Sequence, residues 1–493
     1  MNDGSKVLLI TPPYHAGVLE SAGRWPHLGF VYLAGHLRQA GFVPVIYDAM
    51  TKGDDLVAIG ERIRMERPGV VCSTAYTSSI YAALDVLRTA KALDPAIVTV
   101  LGGVHAHFMY EEILRQSPEV DFVVRGEGEL TLPELLRCLA ADGSEEQLRG
   151  VKGLAFRGRD GLVVTPPRPL VEDLDALLPA WDLVEWEDYT FYPLAGSRLA
   201  ILDTSRGCSH DCSFCSQQKF WERCFRGRRP ERVVEELLHL NREYGVDVVM
   251  FSDEYPTKER ERWERLLDLI IASGVKLTLL METRVEDILR DRDILTKYRQ
   301  AGVLHIYVGV EATNQETLDR FKKELSCRQS LEAIELINRH GMVSECSFVL
   351  GLPEDTPASI AHTLELARYY DPDFPHFLHL APWPYADLYQ ELEPYIITRD
   401  YSKYNFVEPV VKPAAMSEAE IRQAVLDCYR KFYLEKVGRI REEADPFKRK
   451  YLLRSVQVMV ENSFLARHMG GGQGEIPETV RRLLREISLP AAE

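Results

Sequence analysis

The sequence predicts an α/β protein: an N-terminal doubly wound parallel sheet, then a partial (β/α)6 barrel, then a C-terminal helical segment. Three observations carry this expectation. Short apolar runs alternate with amphipathic helical stretches, and they do so in two separate series. Glycine- and proline-bearing turns punctuate both series. From about Ser417 the alternation stops and only helical spacing remains.

The first series opens with Lys6–Ile10, an apolar run ended by Pro12-Pro13. Further strands are expected at Val43–Tyr47, Gly69–Ser73, Ile97–Leu101 and Val120–Val124. Helical spacing fills the gaps at His27–Ala40, Leu56–Met65, Ser79–Leu93, Tyr110–Gln116 and Thr131–Ala140. Strands separated by helices pair in parallel, with helices on both faces. This series defines a domain over residues 1–145.

Residues 146–198 read as a connector with one hairpin, Gly153–Phe156 and Leu162–Thr165 around Arg159-Asp160-Gly161. The second series occupies 199–400, with strands expected at 199–203, 247–252, 276–281, 305–310, 346–350 and 376–381. Six βα units make a barrel that stays open where eight would close. Residues 401–493 form the helical segment, with helices expected at 417–436, 446–467 and 477–487.

Composition bounds the function. Apolar residues make up 46% and charged residues 27%, the profile of an ordinary globular chain. The 59 basic residues are outnumbered by 75 acidic ones, for a net charge of −16, which disfavours a general nucleic-acid role. The one dense basic run, Arg223–Arg232, reads equally as a solvated loop or an anion-binding stretch. The sequence presents neither a signal-peptide pattern nor an apolar run of about 18 residues, so a cytoplasmic protein with no transmembrane segment is expected.

The nine cysteines are odd in number and scattered, which argues against a disulfide scaffold. Only Cys208, Cys212 and Cys215 cluster, as C-x3-C-x2-C in Arg206–Cys215, just after the first strand of the second series. Loops after strand C-termini form the ligand face of such sheets. Three thiolates there can hold three irons of a [4Fe–4S] cluster and leave the fourth iron open. An open metal position is what a catalytic site needs, and the amino and carboxylate groups of S-adenosylmethionine would chelate it. The alternative is a zinc knuckle. Structural zinc takes four closed ligands, usually as two pairs; here His210 or Cys224 would have to complete an uneven set.

The cysteine spacing, its position and Phe214 before the third cysteine resemble the radical S-adenosylmethionine superfamily. The resemblance implies S-adenosylmethionine contacts at later strand ends. These are Ser252-Asp253-Glu254 after the second strand, Glu282-Thr283-Arg284 at the third, and Glu311 at the fourth, a structural strand-end role being the other reading of each residue alone. Gly351 in Phe348–Glu354 falls beside the adenine on the same reading. From those segments Phe214, Ser252, Asp253, Glu254, Thr283, Arg284, Glu311 and Gly351 are taken as cofactor-binding candidates.

The N-terminal domain is similar to the cobalamin-binding domain that precedes many radical S-adenosylmethionine domains. Four strand-end signals line one sheet edge: Pro13-Tyr14, Thr77-Ser78-Ser79, Gly102-Gly103 with His105, and Gly126-Glu127. Each alone is explained equally by turns and helix caps. The Asp-x-His-x-x-Gly signature of a cobalt-ligating histidine is lacking, so cobalamin would have no histidine ligand from that motif. A nucleotide-binding or empty doubly wound fold is the other reading of this domain.

Long strings extend the resemblance over nearly the whole chain to the anaerobic magnesium-protoporphyrin IX monomethyl ester oxidative cyclase family. They include Ala22–Pro26, Tyr47–Met50, Gly102–Tyr110, Cys212–Trp221, Pro382-Trp383-Pro384, Tyr404–Val407 and Lys412–Met416. Gln218 departs from the family string, which usually has Trp there. The resemblance implies oxidative ring closure on a small-molecule substrate, a porphyrin being the candidate, with water supplying oxygen and flavodoxin or ferredoxin as reductant. Two other readings stay open: a cobalamin-dependent radical methyltransferase acting on unactivated carbon, and an iron–sulfur/cobalamin sensor. The aromatic and histidine residues His376, His379, Trp383, Tyr385 and Tyr389 could face a flat macrocycle.

Overall fold

The computed structural model describes residues 5–15 and 22–463. These divide into two compact units. One holds residues 5–15, 25–188 and 216–228; the other holds 22–24, 189–215 and 229–463.

The first unit is built on a seven-stranded sheet. Its strands are β1 (Lys6–Ile10), β2 (Val43–Tyr47), β3 (Val70–Thr74), β4 (Val98–Gly102), β5 (Phe122–Val124), β6 (Leu154–Gly158) and β7 (Gly161–Val164), in the order β2-β1-β3-β4-β5-β6-β7. The first five are parallel; β6 and β7 add on antiparallel, so the expected hairpin extends the sheet. Val7 through Ile10 are fully buried, because a central strand covered on both faces needs a continuous apolar run. Helices Leu28–Gln39 and Gly128–Ala141 supply Phe30, Leu37, Leu132 and Leu135 to the core. Strand order reverses at β1, and a reversal opens a crevice at the strand C-termini.

One helix departs from expectation. The sequence pattern starts it at Tyr110, but it begins at Val104 and carries a kink at Met109 (φ −104°, ψ 18°). His105 therefore sits in its first turn rather than in a loop.

The second unit carries six parallel strands in chain order: β8 (Leu199–Leu202), β9 (Val248–Phe251), β10 (Thr278–Thr283), β11 (Val303–Glu311), β12 (Val343–Leu350) and β13 (Phe374–His379). Among the described residues β8 and β13 each pair on one side only, as a partial barrel requires. Helices Glu418–Arg441 and Pro446–Asn462 follow. Their buried lysines bond to the segment before β13: Lys436 Nζ lies 2.9 Å from Asp371, and Lys448 Nζ lies 3.0 Å from the buried Asp373. The helix expected at 477–487 lies outside the described residues. No helix among the described residues is long and apolar enough to cross a membrane.

Candidate active site

The cysteine loop follows β8 and the short strand Ser205–Arg206. Its base is tied down by the end of β9. Asp253 is fully buried and accepts from Thr204 N at 2.8 Å, Thr204 Oγ1 at 2.6 Å and Ser205 Oγ. Burial, with Asp203 adding to it, pushes the Asp253 carboxyl up to about 6. Ser252 Oγ donates to Asp203, which also takes Arg206 Nε at 2.8 Å. Glu254 accepts the Gly207 N–H at 3.0 Å, one residue before Cys208.

The far side of the loop is held by the stretch after β11. Ser213 N donates to Phe321 O at 3.1 Å and Ser213 Oγ to Arg320 O at 2.8 Å. Phe214 packs on Phe321 with ring centroids 5.1 Å apart. Cys208, Cys212 and Cys215 are all free thiols, Cys212 buried and the others half-buried. Among the described residues no three His, Cys, Asp or Glu side chains converge at single-ion spacing. A four-iron cube differs from a single ion in taking each thiolate on its own iron. Cys224 is exposed and belongs with the first unit.

Positive charge faces these sulfurs. Arg284 Nη1 lies 3.8 Å from Cys212 Sγ, while its Nη2 donates to Glu286 at 2.6 Å and to Lys323 O at 2.8 Å. Lys323 is buried and donates to Glu311 Oε1 at 3.0 Å; Ser347 donates to the other Glu311 oxygen at 2.9 Å. A Cβ at Gly309 would stand 2.4 Å from Lys323 Nζ and 2.6 Å from Glu311 Oε1, so a side chain there would displace the tips of this ion pair. Buried cations beside thiolates suit an anionic cluster, which is the observation that fits the residues present to that group. Thr283 faces away, bonded to Thr257. Gly351 has φ +96°, and its N–H donates to Asp355 at 2.9 Å.

Lys323 is not among the residues expected from sequence at the cofactor site, whereas Glu282 lies in the strand-end segment that is. Glu282 shares the strand face of Arg284 by the two-residue period and opens into the barrel lumen. Its side chain is solvent-accessible within the lumen; desolvation by the surrounding walls, then the carboxylates of Glu254, Asp253, Glu345 and Glu311, push it up to about 8.

Two of the histidines that could face a macrocycle or serve the core have partners within the protein. His376 pairs with Glu345, which also meets His305 Nε2 at 2.8 Å, and all three lie on the third residues of their strands, toward the strand N-termini. His379 is buried, its imidazole pushed down to about 3 mainly by that burial, and its backbone N–H donates to Phe406 O. Trp383 is half-buried and stands edge-on to Phe406 at 5.4 Å.

At the first sheet's edge, Pro13, Tyr14 and Ser78 are half-exposed, and Cβ atoms added at Gly102 or Gly126 would meet nothing within 4 Å. Other expected contacts are engaged by the protein itself. Thr77 holds His105 Nδ1 at 3.1 Å, and burial pushes His105 down to about 4. Ser79 Oγ accepts the Tyr76 N–H at 3.1 Å, a local turn. Gly103 has φ +91°, and a Cβ there would lie 2.7 Å from the Ala75 backbone, so it serves close strand packing. Glu127 is buried, paired with Arg226 and taking the Val171 N–H at 2.6 Å.

Comparison with known families agrees with both halves. A B12 binding domain matches residues 14–136, and the radical SAM superfamily matches 202–367. The chain is 38% identical over 93% of its length to an anaerobic magnesium-protoporphyrin IX monomethyl ester cyclase of Rubrivivax gelatinosus, covering 83% of that protein. It belongs to that cyclase family. It is thus a cobalamin-dependent radical S-adenosylmethionine enzyme whose cofactors are a [4Fe–4S] cluster, S-adenosylmethionine and cobalamin. The chain is also 30% identical over 87% of its length to an uncharacterized methyltransferase of Pyrococcus horikoshii, covering 92% of it. The fold matches a radical S-adenosylmethionine methyltransferase from Kitasatospora setae with a TM-score of 0.71 at 16% identity, across 99% of this chain and 100% of that one. Membership of the cyclase family and the α/β architecture both agree with the expectations from sequence.

Proposed function

We propose that this enzyme carries out anaerobic oxidative cyclisation of magnesium-protoporphyrin IX monomethyl ester or a related tetrapyrrole. The observation that carries the reading is the 38% identity to a cyclase so named, sustained over 93% of the chain. Cys208, Cys212 and Cys215 would hold the cluster, with Glu254, Arg284, Glu311 and Gly351 at the S-adenosylmethionine side. When bound, the cluster and S-adenosylmethionine supply a 5′-deoxyadenosyl radical that takes hydrogen from substrate carbon.

The chain's own residues prepare that site. Asp253 and Ser252 fix the loop base, so the thiols do not wander. Arg284 places positive charge beside the Cys212 sulfur; at Cys208 burial pushes the thiol up and Arg284 opposes that. Lys323 is neutralised in turn by Glu311, so the pair does not leave a bare buried charge. Trp383 and Phe406, half-buried beyond the end of β13, supply flat apolar surface for a macrocycle. We further propose a cytoplasmic enzyme with flavodoxin or ferredoxin as electron donor.

Methyl transfer to unactivated carbon is the second reading, favoured by the likeness to the Pyrococcus protein over 92% of that protein's length. One incubation separates the two. Reduced enzyme, cobalamin and S-adenosylmethionine are mixed anaerobically with magnesium-protoporphyrin monomethyl ester, and the pigment is analysed by mass. Gain of oxygen with loss of hydrogen supports cyclisation. Gain of a methyl group supports transfer, and an unchanged pigment contradicts the tetrapyrrole proposal.

A further inference from the structure

The B12 binding match ends at residue 136, yet the first compact unit contains a later stretch, residues 216–228, that begins at the residue after Cys215. Within that unit this stretch meets the segments that follow β4 and β5. Phe220 stands edge-on to His107 at 5.1 Å, and Trp221 stands edge-on to Phe220 at 4.8 Å. The Arg226 guanidinium lies 5.4 Å from the Trp221 ring centre. Arg226 Nη1 donates to both oxygens of Glu127, at 3.1 and 2.9 Å, and to Val171 O. Beside them Arg125, the residue after β5, lies 4.5 Å over the ring of Tyr110.

This edge has unfilled polar atoms. Among the described residues, Nε and Nη2 of Arg226, Nε of Arg125 and Nδ1 of His107 are enclosed yet lack a hydrogen-bond partner. An enclosed polar group without a partner costs about 1–3 kcal/mol, more when charged. Several gathered at one strand-end edge mark a place that an acceptor-rich ligand completes.

The backbone gives an independent sign. Glu222 and Arg223 both hold left-handed φ, +52° and +53°, immediately after Trp221. A non-glycine residue pays about 1–2 kcal/mol there, and such strain gathers at ligand clamps. Arg223 Nε donates to Gln218 Oε1 at 3.0 Å and closes the turn. Gln218, the departure from the family string, thus holds the strained turn behind the aromatic pair.

We propose that residues 216–228 form a wall of the cobalamin site, with Phe220 and Trp221 against the flat corrin and Arg226, Arg125 and His107 meeting its amide or phosphate oxygens. Phe220 and Trp221 are half-exposed, so a flat ligand can reach them where they stand. The wall and the cluster loop are joined by the single peptide bond between Cys215 and Ser216. The inference rests on the cobalamin assignment, and its test separates the two.

Full-length enzyme with its cluster assembled anaerobically is titrated with hydroxocobalamin by equilibrium dialysis. Hydrogen exchange of peptides spanning 216–228 is measured with and without the ligand. Wild type is expected to bind, and those peptides to gain protection. Trp221→Leu and His107→Leu are each expected to weaken binding about tenfold with iron content unchanged. Wild-type binding that leaves exchange at 216–228 unaltered overturns the wall and spares the assignment. So does unchanged affinity in both variants. Failure of wild type to bind removes the assignment and the wall with it. The exchange measurement decides the matter where a variant does not fold.

Discussion

The two parallel sheets use the same βα unit and reach different sites. In the first, strand order reverses at β1, so neighbouring crossovers lie on opposite faces and leave a crevice at the edge. In the second, order follows the chain from β8 to β13, so the sheet curls and encloses a lumen. A crevice suits a broad planar cofactor; a lumen suits a reaction that must be kept from solvent. The edges differ too. The first is lined by glycines, half-exposed residues and orphaned nitrogens, whereas the second is crowded with paired charge around the cysteine loop.

That contrast can be broken one sheet at a time. The largest effect is expected from Cys212→Ala: iron and sulfide assays should find no assembled cluster, and S-adenosylmethionine cleavage should cease, while cobalamin is still bound. Loss of both cofactors together would deny the independence of the two edges. Asp253→Ala comes next. It strips three donors of a fully buried acceptor, and unfolding curves should report a loss of about 3–5 kcal/mol, with iron content falling. An unaltered melting profile would contradict the bracing role.

Gly103→Ala should act on the other side. A methyl group forced against Ala75 at a left-handed position should cost about 2–3 kcal/mol and weaken cobalamin binding, leaving iron content intact. The smallest effect is expected at Glu282. An acid whose pKa rises on folding binds its proton more tightly folded than unfolded. Wild type therefore loses stability as pH climbs from the ordinary carboxyl range toward about 8. Glu282→Gln escapes that loss. Above pH 8 it should be the more stable protein, by on the order of 1 kcal/mol once screening by solvent in the lumen is allowed, and the difference should vanish at low pH. A pH-independent difference would show that the lumen carboxylates do not act on it.

Much of this was legible because burial writes itself into sequence. β1 falls at its expected bounds, since a strand enclosed on both faces is an unbroken apolar run. The cysteine loop was readable from spacing alone. The helix from Val104 was not, because the kink at Met109 interrupts its periodicity and Gly103 caps it without a side-chain hydrogen bond. Lys323 gave no signal: it meets Glu311 and the cysteine loop only once β11 and its following turn are folded. Glu127 and His105 looked like ligand residues because they follow strand ends, but each has a protein partner that no local pattern announces.

Reductive cleavage of S-adenosylmethionine tests the central claim most directly. Reconstituted enzyme, reduced anaerobically with S-adenosylmethionine, should release 5′-deoxyadenosine and methionine, and Cys212→Ala should release neither. Intact S-adenosylmethionine in the presence of a fully assembled, reduced cluster would contradict the account, as would undiminished cleavage by the variant.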